Sequence, residues 1–434
     1  MVMDFFNHLE SNVRGYIRSF PAVFKTGSGS QLTDENGRKY IDFFSGAGTL
    51  NYGHNFPVFK KKLIEYLESY GVVHGLDMAT SAKKELLDTF ENMILKPRNM
   101  EYKIQFTGPT GTNAVEAALK IARLATGRPN VISFTNGFHG VTMGSVAATG
   151  NSHYRSGVGV PLGNTTFMPY EKYLGAEHDS LDYIRKFIEN SSSGVDLPAA
   201  VIVETVQGEG GVNVASPEWL RGLQEICRDF DILLIVDDIQ VGCGRTGSFF
   251  SFENMGIEPD LILLSKSIGA YGLPMALVLM KPELDTWEPG QHNGTFRGNN
   301  LAFVAATEAI RMFWENDDFT QDLEFKGEAL EGDALGLELR YSDAIEEVRG
   351  RGLIYGIQFS DPDKAKETAK KAFEHGLLIE TCGSKDEVIK ILPPLIITKE
   401  ELKEGLRILE KSISEVFDAE EGSLKENDLE CAKR

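Results

Sequence analysis

Between about residue 80 and residue 320 the sequence alternates short apolar runs with amphipathic stretches, and this alternation constrains the fold more than any other feature. Helical patterns, including 114–125, 181–190 and 217–229, separate the apolar runs, which cover 102–106, 131–134, 199–203, 232–236, 261–264 and 276–280. Near-continuous apolar strands between amphipathic helices are typical of a mainly parallel sheet covered on both faces. We therefore predict an α/β fold with a large domain built on such a sheet.

The ends of the chain predict a second, smaller domain. The turn at 34–39 lies between two apolar stretches and indicates a β-hairpin in an N-terminal arm. Long charged helical patterns occur from about residue 320 onward, at 319–339, 364–374 and 398–416. We assign 1–60 to the arm and part of the small domain, 61–320 to the large domain, 321–417 to a C-terminal α+β small domain, and 418–434 to a disordered polar tail.

The composition argues against several kinds of partner. The 434 residues include 44 basic and 64 acidic side chains, for a net charge of −20, which disfavours nucleic acid and anionic membranes. The four cysteines form no CxxC pair and no metal-ligand spacing, so we expect free thiols and no metal site. The sequence also lacks a signal peptide and any apolar run of membrane-spanning length. We predict a cytoplasmic protein.

A carboxylate and a lysine each follow one of the apolar runs. The run 232–236 ends in Asp237, and Lys266 follows the run 261–264 and precedes a loop of small residues. Ligands bind at the C-terminal ends of strands in such sheets. A pyridoxal phosphate enzyme requires a lysine that forms a Schiff base and an acid that keeps the pyridine nitrogen protonated. A solvated acidic turn is the alternative for Asp237 alone, but it does not explain Gln240 and the glycines that follow.

Two loops of small residues are candidates for binding phosphate. The loop 107–113 follows an apolar run and leads into a helical pattern, so that backbone N–H groups and the helix dipole would face an anion. Thr110, Gly111 and Thr112 are the candidate ligands, and an ordinary glycine turn that caps a helix is the alternative. The loop 294–300, which includes Thr295, is a second candidate.

Two further strand ends carry side chains suited to a cofactor. Phe138 and His139 lie between glycines after the run 131–134. A stacked aromatic ring contributes about 0.5–1.5 kcal/mol beyond its burial, although a core phenylalanine beside a histidine is the simpler interpretation. Glu204 and Glu209 flank a glycine-rich turn after the run 199–203, where carboxylates can contact a cofactor or pair with a mobile cation.

Taken together, these motifs resemble the class III aminotransferases, which are fold-type I pyridoxal phosphate enzymes. The resemblance covers about residues 15–415 and is most specific at 110–118, 236–247 and 264–270. It implies pyridoxal 5'-phosphate as the cofactor, with Lys266 as its covalent attachment. By position, Asp237 would hold the pyridine nitrogen and Gln240 would contact the ring phenolate oxygen. The remaining cofactor contacts would be the stacking residue Phe138, its neighbour His139, Glu204, and the phosphate ligands Thr110, Gly111 and Thr112.

The same resemblance implies an oligomer. Thr295 matches the position that reaches the phosphate bound by the neighbouring subunit in this family. The active sites would therefore lie at the interface of a homodimer, and a higher homo-oligomer is compatible with the sequence.

Other segments resemble a narrower group, the diaminobutyrate–2-oxoglutarate aminotransferases of ectoine synthesis. These segments are 18–21, 43–54, 74–78, 203–211 and 292–300. That group transfers an amino group from glutamate to aspartate 4-semialdehyde, which is the first committed step of ectoine synthesis and serves osmoadaptation. The resemblance implies an amino acid and a semialdehyde as small-molecule substrates.

Two positions depart from the class III pattern. Many members carry arginines that bind substrate carboxylates where this chain has Val141 and Lys390. A lysine is a point charge without the bidentate fork of arginine, so other cations must contribute. Arg155 and Arg297 are the candidates, and Gly46, Ala47 and Glu209 are further candidate substrate contacts.

The sequence leaves three alternatives open. One is another class III ω-aminotransferase, acting on 4-aminobutyrate, on ornithine, or on diaminobutyrate in siderophore synthesis. The second is an aminomutase of the glutamate-1-semialdehyde type, which needs no 2-oxoglutarate. The third is a protein that binds pyridoxal phosphate without turnover, which the combination of Lys266, Asp237 and Gln240 argues against.

Overall fold

Seven strands form the central sheet of the computed structural model, which describes residues 2–431 and the side chains of residues 3–417. In chain order they are β1 (Lys103–Phe106), β2 (Val131–Phe134), β3 (Thr165–Met168), β4 (Ala200–Val203), β5 (Leu233–Asp237), β6 (Leu261–Leu264) and β7 (Leu277–Met280). Their order in the sheet is β1-β7-β6-β5-β4-β2-β3. Strand β7 runs antiparallel to β6 and β1, and the other neighbouring pairs are parallel. The predicted mainly parallel sheet is confirmed.

Alternating side chains of the strands pack on opposite faces of this sheet, as strand geometry requires. In β6, Leu261 and Leu263 belong to the core cluster on the face covered by the helix Gly111–Thr126. Ile262 and Leu264 belong to the larger cluster on the other face. Because both faces are buried, the inner strands β4, β6 and β7 are continuous apolar runs in the sequence, whereas the edge strands β1 and β3 are not.

The helices cover the sheet and build the rest of the molecule. The predicted helix at 217–229 is found with these bounds, and the Ser216 side chain caps it by accepting a hydrogen bond from the Trp219 N–H. The α-helices are Val2–Leu9, Tyr16–Ser19, Ser45–Gly48, Pro57–Glu68, Ser81–Phe90, Gly111–Thr126, Met143–Ala148, Ser152–Ser156, Ser180–Glu189, Pro217–Asp229, Asn300–Phe313, Asp318–Arg340, Pro362–Glu374 and Lys399–Cys431. The short π and 3-10 segments are Glu91–Leu95, Lys96–Arg98, Lys266–Gly269 and Pro282–Leu284.

Two four-stranded sheets and a short ribbon lie outside the central sheet. The predicted hairpin is present, and its second strand pairs in parallel with Leu377–Leu378, which joins the N-terminal arm to the C-terminal region. The N-terminal sheet contains Phe24–Ser28, Gln31–Asp34, Lys39–Asp42 and Leu377–Leu378. The antiparallel C-terminal sheet has the order Ile345–Arg351, Ile354–Phe359, Val388–Ile391, Glu380–Cys382. The ribbon pairs Val206–Gln207 with Asn213–Val214. The division into domains stays a prediction.

The last helix continues to Cys431, through a segment rich in the good helix formers glutamate, lysine and leucine. It therefore includes most of the tail for which we predicted disorder, and residues 432–434 of that tail lie outside the described residues. Within the part of the chain that the structure describes, no helix has the length and apolar character needed to cross a membrane. Cys227, Cys243 and Cys382 are buried free thiols.

Candidate active site

The ends of adjacent strands bring most of the predicted site residues together. Asp237 is the last residue of β5, Glu204 directly follows β4, and Lys266 follows β6 by two positions. Phe138 and His139 lie on the loop after β2, which is the neighbour of β4. Because the carboxyl ends of parallel strands meet at one edge of a sheet, these residues form one site at the edge predicted from the sequence.

Lys266 is held by an unusual backbone and an environment that favours its neutral amine. Its φ angle of 49° lies in the left-handed region, which costs a non-glycine residue of order 1–3 kcal/mol and is concentrated at functional sites. The next residue, Ser267, donates a hydrogen bond to the Gly48 carbonyl at 2.6 Å and anchors the loop. Burial lowers the pKa of Lys266. The negative charge of Glu209 opposes this shift, and the positive charge of Lys390 adds to it. A neutral amine is the nucleophilic form.

Asp237 and His139 form a buried pair. The Oδ2 atom of Asp237 lies 2.7 Å from Nδ1 of His139, and the side chains are 5% and 1% exposed. Burial alone would lower the pKa of His139, but the hydrogen bond and the charge of Asp237 raise it. The other oxygen of Asp237 accepts the Ile239 N–H at 3.2 Å. Two hydrogen bonds therefore fix the orientation of the carboxylate, as is required of an acid that faces a pyridinium.

Glu204 fixes the loop that carries Phe138. Its Oε2 atom accepts the Phe138 N–H at 3.0 Å. Burial raises the pKa of Glu204 to about 8, so that its neutral form is present at neutral pH. The Phe138 ring packs edge-on against Tyr154, with ring centroids 5.1 Å apart.

Gln240 connects the cofactor edge to two candidate substrate contacts. Its Nε2 atom donates to the Ala47 carbonyl at 3.1 Å and to Glu209 Oε1 at 3.0 Å. Gly46 and Ala47 both have left-handed backbone conformations, with φ angles of 57° and 55°. The Oε1 atom of Gln240 is buried and has no hydrogen-bond partner among the described residues. A Cβ atom on Gly208 would overlap that oxygen, so a larger residue at position 208 would displace the Gln240 side chain.

Lys390, the predicted ligand of a substrate carboxylate, is already paired with the carboxylates of two side chains. Its Nζ atom lies 2.7 Å from Glu209 Oε1 and 3.0 Å from Glu380 Oε1, and its side chain is fully buried. Burial would lower the pKa of Lys390, but these two charges raise it well above its ordinary value. Burial would raise the pKa of Glu209, but Lys390 and Lys266 lower it to about 2.

The loop before the helix Gly111–Thr126 has the form of an anion cup. Thr110 is the N-cap residue with an extended backbone, and its side chain does not cap the helix. The first-turn amides of a helix have no intrahelical acceptors, so the N–H groups of Gly111 and Thr112 suit a phosphate. The Thr112 hydroxyl lies 2.6 Å from that of Thr142.

The three remaining predicted residues have other surroundings in the single chain. Arg155 donates to the carbonyls of three residues at the end of a short helix, namely Val146, Ala147 and Thr149. Arg297 forms an ion pair with Asp77. Thr295 is exposed, and its carbonyl lies 3.0 Å from Nε2 of His74. Their roles toward substrate and phosphate stay predictions.

Sequence reasoning missed Glu380, Tyr16 and Tyr154. Partial burial first, and then the charges of Glu380 and Glu209, raise the pKa of Tyr16. Burial and the charge of Glu209 likewise raise the pKa of Tyr154. Glu380 is the register partner of Lys390 in the antiparallel pair of strands. The short apolar run around Lys390 predicts a strand in the sequence, but it does not give the register.

These residues fit pyridoxal phosphate. The site offers a lysine of lowered pKa, a buried carboxylate held by two hydrogen bonds, and a helix N-terminus at the same edge of the sheet. An amine, an acid for a ring nitrogen and a phosphate cup are the groups that this cofactor requires.

Comparison with known proteins gives a consistent family. The model of the family described as aminotransferase class-III matches residues 15–413. A diaminobutyrate–2-oxoglutarate transaminase of Bordetella parapertussis is 60% identical over 422 residues, which are 97% of each chain. One of Wolinella succinogenes is 56% identical over 98% of this chain and 99% of its own. One of Halalkalibacterium halodurans is 52% identical over 96% and 98%.

Solved structures show the same fold. The ornithine aminotransferase of Toxoplasma gondii superposes with a TM-score of 0.82 at 26% identity, over 96% of this chain and 95% of its own. A transaminase of the marine bacterium Virgibacillus superposes with a TM-score of 0.85 at 20% identity, over 96% and 98%. The predicted fold-type I architecture is confirmed.

Proposed function

The chain belongs to the class-III aminotransferases, and from this premise we propose that it transfers the amino group of L-glutamate to L-aspartate 4-semialdehyde. The products would be L-2,4-diaminobutyrate and 2-oxoglutarate. The observation that carries the proposal is the identity of 60% with a diaminobutyrate–2-oxoglutarate transaminase over 97% of both chains. The arrangement of Lys266, Asp237 and Gln240 supports the chemistry.

Each residue of the site has a definite task in this reaction. When bound, pyridoxal phosphate supplies an aldehyde that takes up the amino group and a protonated ring that withdraws electrons from the reacting carbon. Lys266 would hold it covalently, Asp237 would keep the proton on the ring nitrogen, and Phe138 would cover one ring face. Gly111 and Thr112 would hold the phosphate at the helix N-terminus.

Lys266 would also move the proton at the reacting carbon of the substrate. Its lowered pKa favours the neutral amine, which accepts a proton and then returns it. The two substrates use the site in turn, first the amino donor and then the acceptor. The residues that contact the substrate therefore have to accept a different amino acid in each half-reaction.

We propose that Val141 contributes to the choice of substrate, since many class III members carry an arginine at this position. Its side chain is 59% exposed, on the loop that follows Phe138 and His139. Diaminobutyrate carries an ammonium and a carboxylate at the end away from the reacting amine. An arginine at position 141 would attract the carboxylate and repel the ammonium, whereas valine does neither.

We expect Val141→Arg to lower kcat/KM for diaminobutyrate with 2-oxoglutarate by roughly tenfold, the scale of one charge repulsion near a partly buried site. The effect on 4-aminobutyrate, which has the carboxylate but lacks this ammonium, should be smaller. Val58→Arg, at another exposed valine (38%), is the control and should leave both values unchanged.

The same assay tests the proposed function against its nearest alternatives. The wild-type enzyme should prefer diaminobutyrate to 4-aminobutyrate and to ornithine. A clear preference for ornithine, the substrate named for one structural neighbour, or for 4-aminobutyrate would overturn the substrate assignment. The assignment as an aminotransferase would then remain.

We further propose a homodimer in which Thr295 reaches the phosphate bound by the partner subunit. The support is an exposed apolar surface on two segments that meet at the bridge between His74 and Asn299. Its exposed side chains are Val72 (51%), Val73 (48%), Met78 (60%) and Phe296 (68%). Apolar groups clustered in this way mark an interaction surface, and a closed symmetric dimer is the commonest assembly.

Co-expression of Lys266→Ala and Thr295→Ala chains tests this dimer. A mixed dimer would contain one site with both residues intact, so its activity at limiting cofactor should exceed the sum of the two parent variants and approach about a quarter of the wild-type value. Activity equal to that sum would contradict a shared site.

We propose a cytoplasmic location and a role in the synthesis of an osmoprotectant. The free thiols of Cys227, Cys243 and Cys382 suit a reducing compartment. The net charge of −20 is compatible with a salt-adapted host. Growth of a deletion strain at high salt, with and without added diaminobutyrate, would test the role.

A further inference from the structure

Glu380 is a buried carboxylate that the mechanism above does not use. It lies opposite Lys390 in the antiparallel pair of strands, and its side chain is 7% exposed. Its Oε1 atom is 3.0 Å from the Lys390 ammonium, yet it is buried without a partner in hydrogen-bond geometry among the described residues. A buried charged oxygen that is only partly satisfied is costly, so its presence calls for a functional reason.

The cluster formed by Lys390, Glu209 and Glu380 has a net negative charge when both glutamates are ionised. Lys390 is within 3.0 Å of Glu380 and within 2.7 Å of Glu209, so that one ammonium faces two carboxylates. Gln240, the predicted contact of the cofactor ring, donates a hydrogen bond of 3.0 Å to Glu209. The charges of Glu209, Glu380 and Lys390 all act on Lys266. On the proposed function, the carbon at which Lys266 works would lie near this cluster, because Gln240, the predicted ring contact, is hydrogen-bonded to Glu209.

Glutamate is the amino donor in the forward direction of the proposed reaction, and diaminobutyrate is the donor in reverse. The two differ at the carbon that bears the reacting amine. In glutamate the carbon that bears the reacting amine also bears a carboxylate. In diaminobutyrate the carbon that bears the reacting 4-amino group carries two hydrogens and no carboxylate. The same cluster must therefore admit an additional negative charge in one half-reaction and none in the other.

We propose that Glu380 is a specificity-determining residue whose charge state selects between the two amino donors, the ionised form favouring diaminobutyrate and the neutral form favouring glutamate. The inference rests on the proposed function. With Glu380 neutral, Lys390 retains one counter-ion and can attract the glutamate carboxylate. With Glu380 ionised, the cluster is net negative, which repels that carboxylate and attracts diaminobutyrate, a net cation.

The environment allows Glu380 to change its charge near neutrality. Burial raises the pKa of Glu380 to about 7, with Glu209 acting in the same direction and Lys390 against it. Below that pH the neutral form dominates, so the preference for glutamate should grow as the pH falls. The titratable and charged groups that face the cluster are Lys390 and Cys382 on the strands, Glu209 and Lys266 at the sheet edge, and Tyr16 and Tyr154.

The test compares the two half-reactions of the holoenzyme by stopped-flow absorbance in the wild type and in Glu380→Gln. About one pH unit above neutrality, the variant should raise the ratio of kcat/KM for glutamate to kcat/KM for diaminobutyrate by roughly tenfold. The wild-type ratio should rise as the pH falls through neutrality, and the ratio for the variant should change less. Comparison at equal pH cancels the titration of the substrates themselves.

A binding measurement gives a readout that does not depend on turnover. 2-Methylglutamate has the carboxylate but no hydrogen on its amine-bearing carbon, so it binds without completing the reaction. Calorimetry in two buffers of different ionisation enthalpy should show that the wild type takes up more protons than Glu380→Gln when this probe binds near neutrality. Glu374→Gln, at an exposed carboxylate paired with Lys371 (2.9 Å), should behave as the wild type does.

Equal proton uptake by wild type and Glu380→Gln, or a ratio of the half-reactions unchanged in the variant, would overturn the inference. If Glu380→Gln fails to fold, a wild-type ratio that is flat through neutrality would overturn it. Failure of the wild type to react with diaminobutyrate would overturn the proposed function instead, and proton uptake with 2-methylglutamate would still decide the role of Glu380.

Discussion

Replacement of Lys266 by alanine should reduce turnover by roughly 10³-fold or more, because the variant loses both the covalent attachment of the cofactor and the base at the reacting carbon. The lysine lies just beyond β6, with a left-handed φ angle of 49° and a pKa lowered by burial. Steady-state assays with glutamate as donor would measure the loss.

A chemical experiment checks the same assignment without turnover. Borohydride reduction of the wild-type holoenzyme, followed by peptide mass spectrometry, should place the reduced cofactor on Lys266. Lys103→Ala is the control, since Lys103 is exposed and pairs with Asp285 at 2.8 Å. Wild-type turnover in Lys266→Ala, or reduced cofactor on another lysine, would show that the assignment is wrong.

Replacement of Asp237 by alanine should lower kcat by roughly 10²-fold or more while the fold survives, because the ring nitrogen would lose the charge that keeps it protonated. The pair with His139, 2.7 Å apart and buried, is a charge-assisted hydrogen bond, about twice as strong as a neutral one. The absorbance spectrum of the bound cofactor should change together with kcat.

The control for Asp237 lies near the opposite end of the same strand. Asp231 has a side chain that is 95% exposed, two positions before β5 begins. Asp231→Ala should keep wild-type kinetics and the wild-type spectrum. If Asp237→Ala does the same, the carboxylate has no role in the chemistry.

The parts of the fold that local sequence determines were predictable. Strands β2 and β6 have the predicted bounds because their side chains are buried on both faces, which produces a continuous apolar run. Asp237 and Lys266 were found for the same reason, since each follows such a run. The geometry then showed what a sequence pattern cannot, such as the contact of Asp237 on β5 with His139 after β2, two strands that β4 separates.

The contacts of Lys390 depend on register and could not be predicted in this way. The sequence indicated a cation in the substrate region, whereas the structure surrounds that cation with Glu209 and Glu380. The pairing of Glu380 with Lys390 is set by the register of two short strands, and Glu209 comes from a distant loop. Thr295 is a different case, because its proposed contact lies on a partner subunit.

The most direct test of the proposed function follows the amino group itself. The purified holoenzyme would be incubated with glutamate labelled at its nitrogen and with unlabelled aspartate 4-semialdehyde, and the products would be analysed by mass spectrometry and nitrogen NMR. We predict 2,4-diaminobutyrate with the label at its 4-amino nitrogen, together with an equal amount of 2-oxoglutarate. Absence of labelled diaminobutyrate, or its formation without 2-oxoglutarate, would contradict the account.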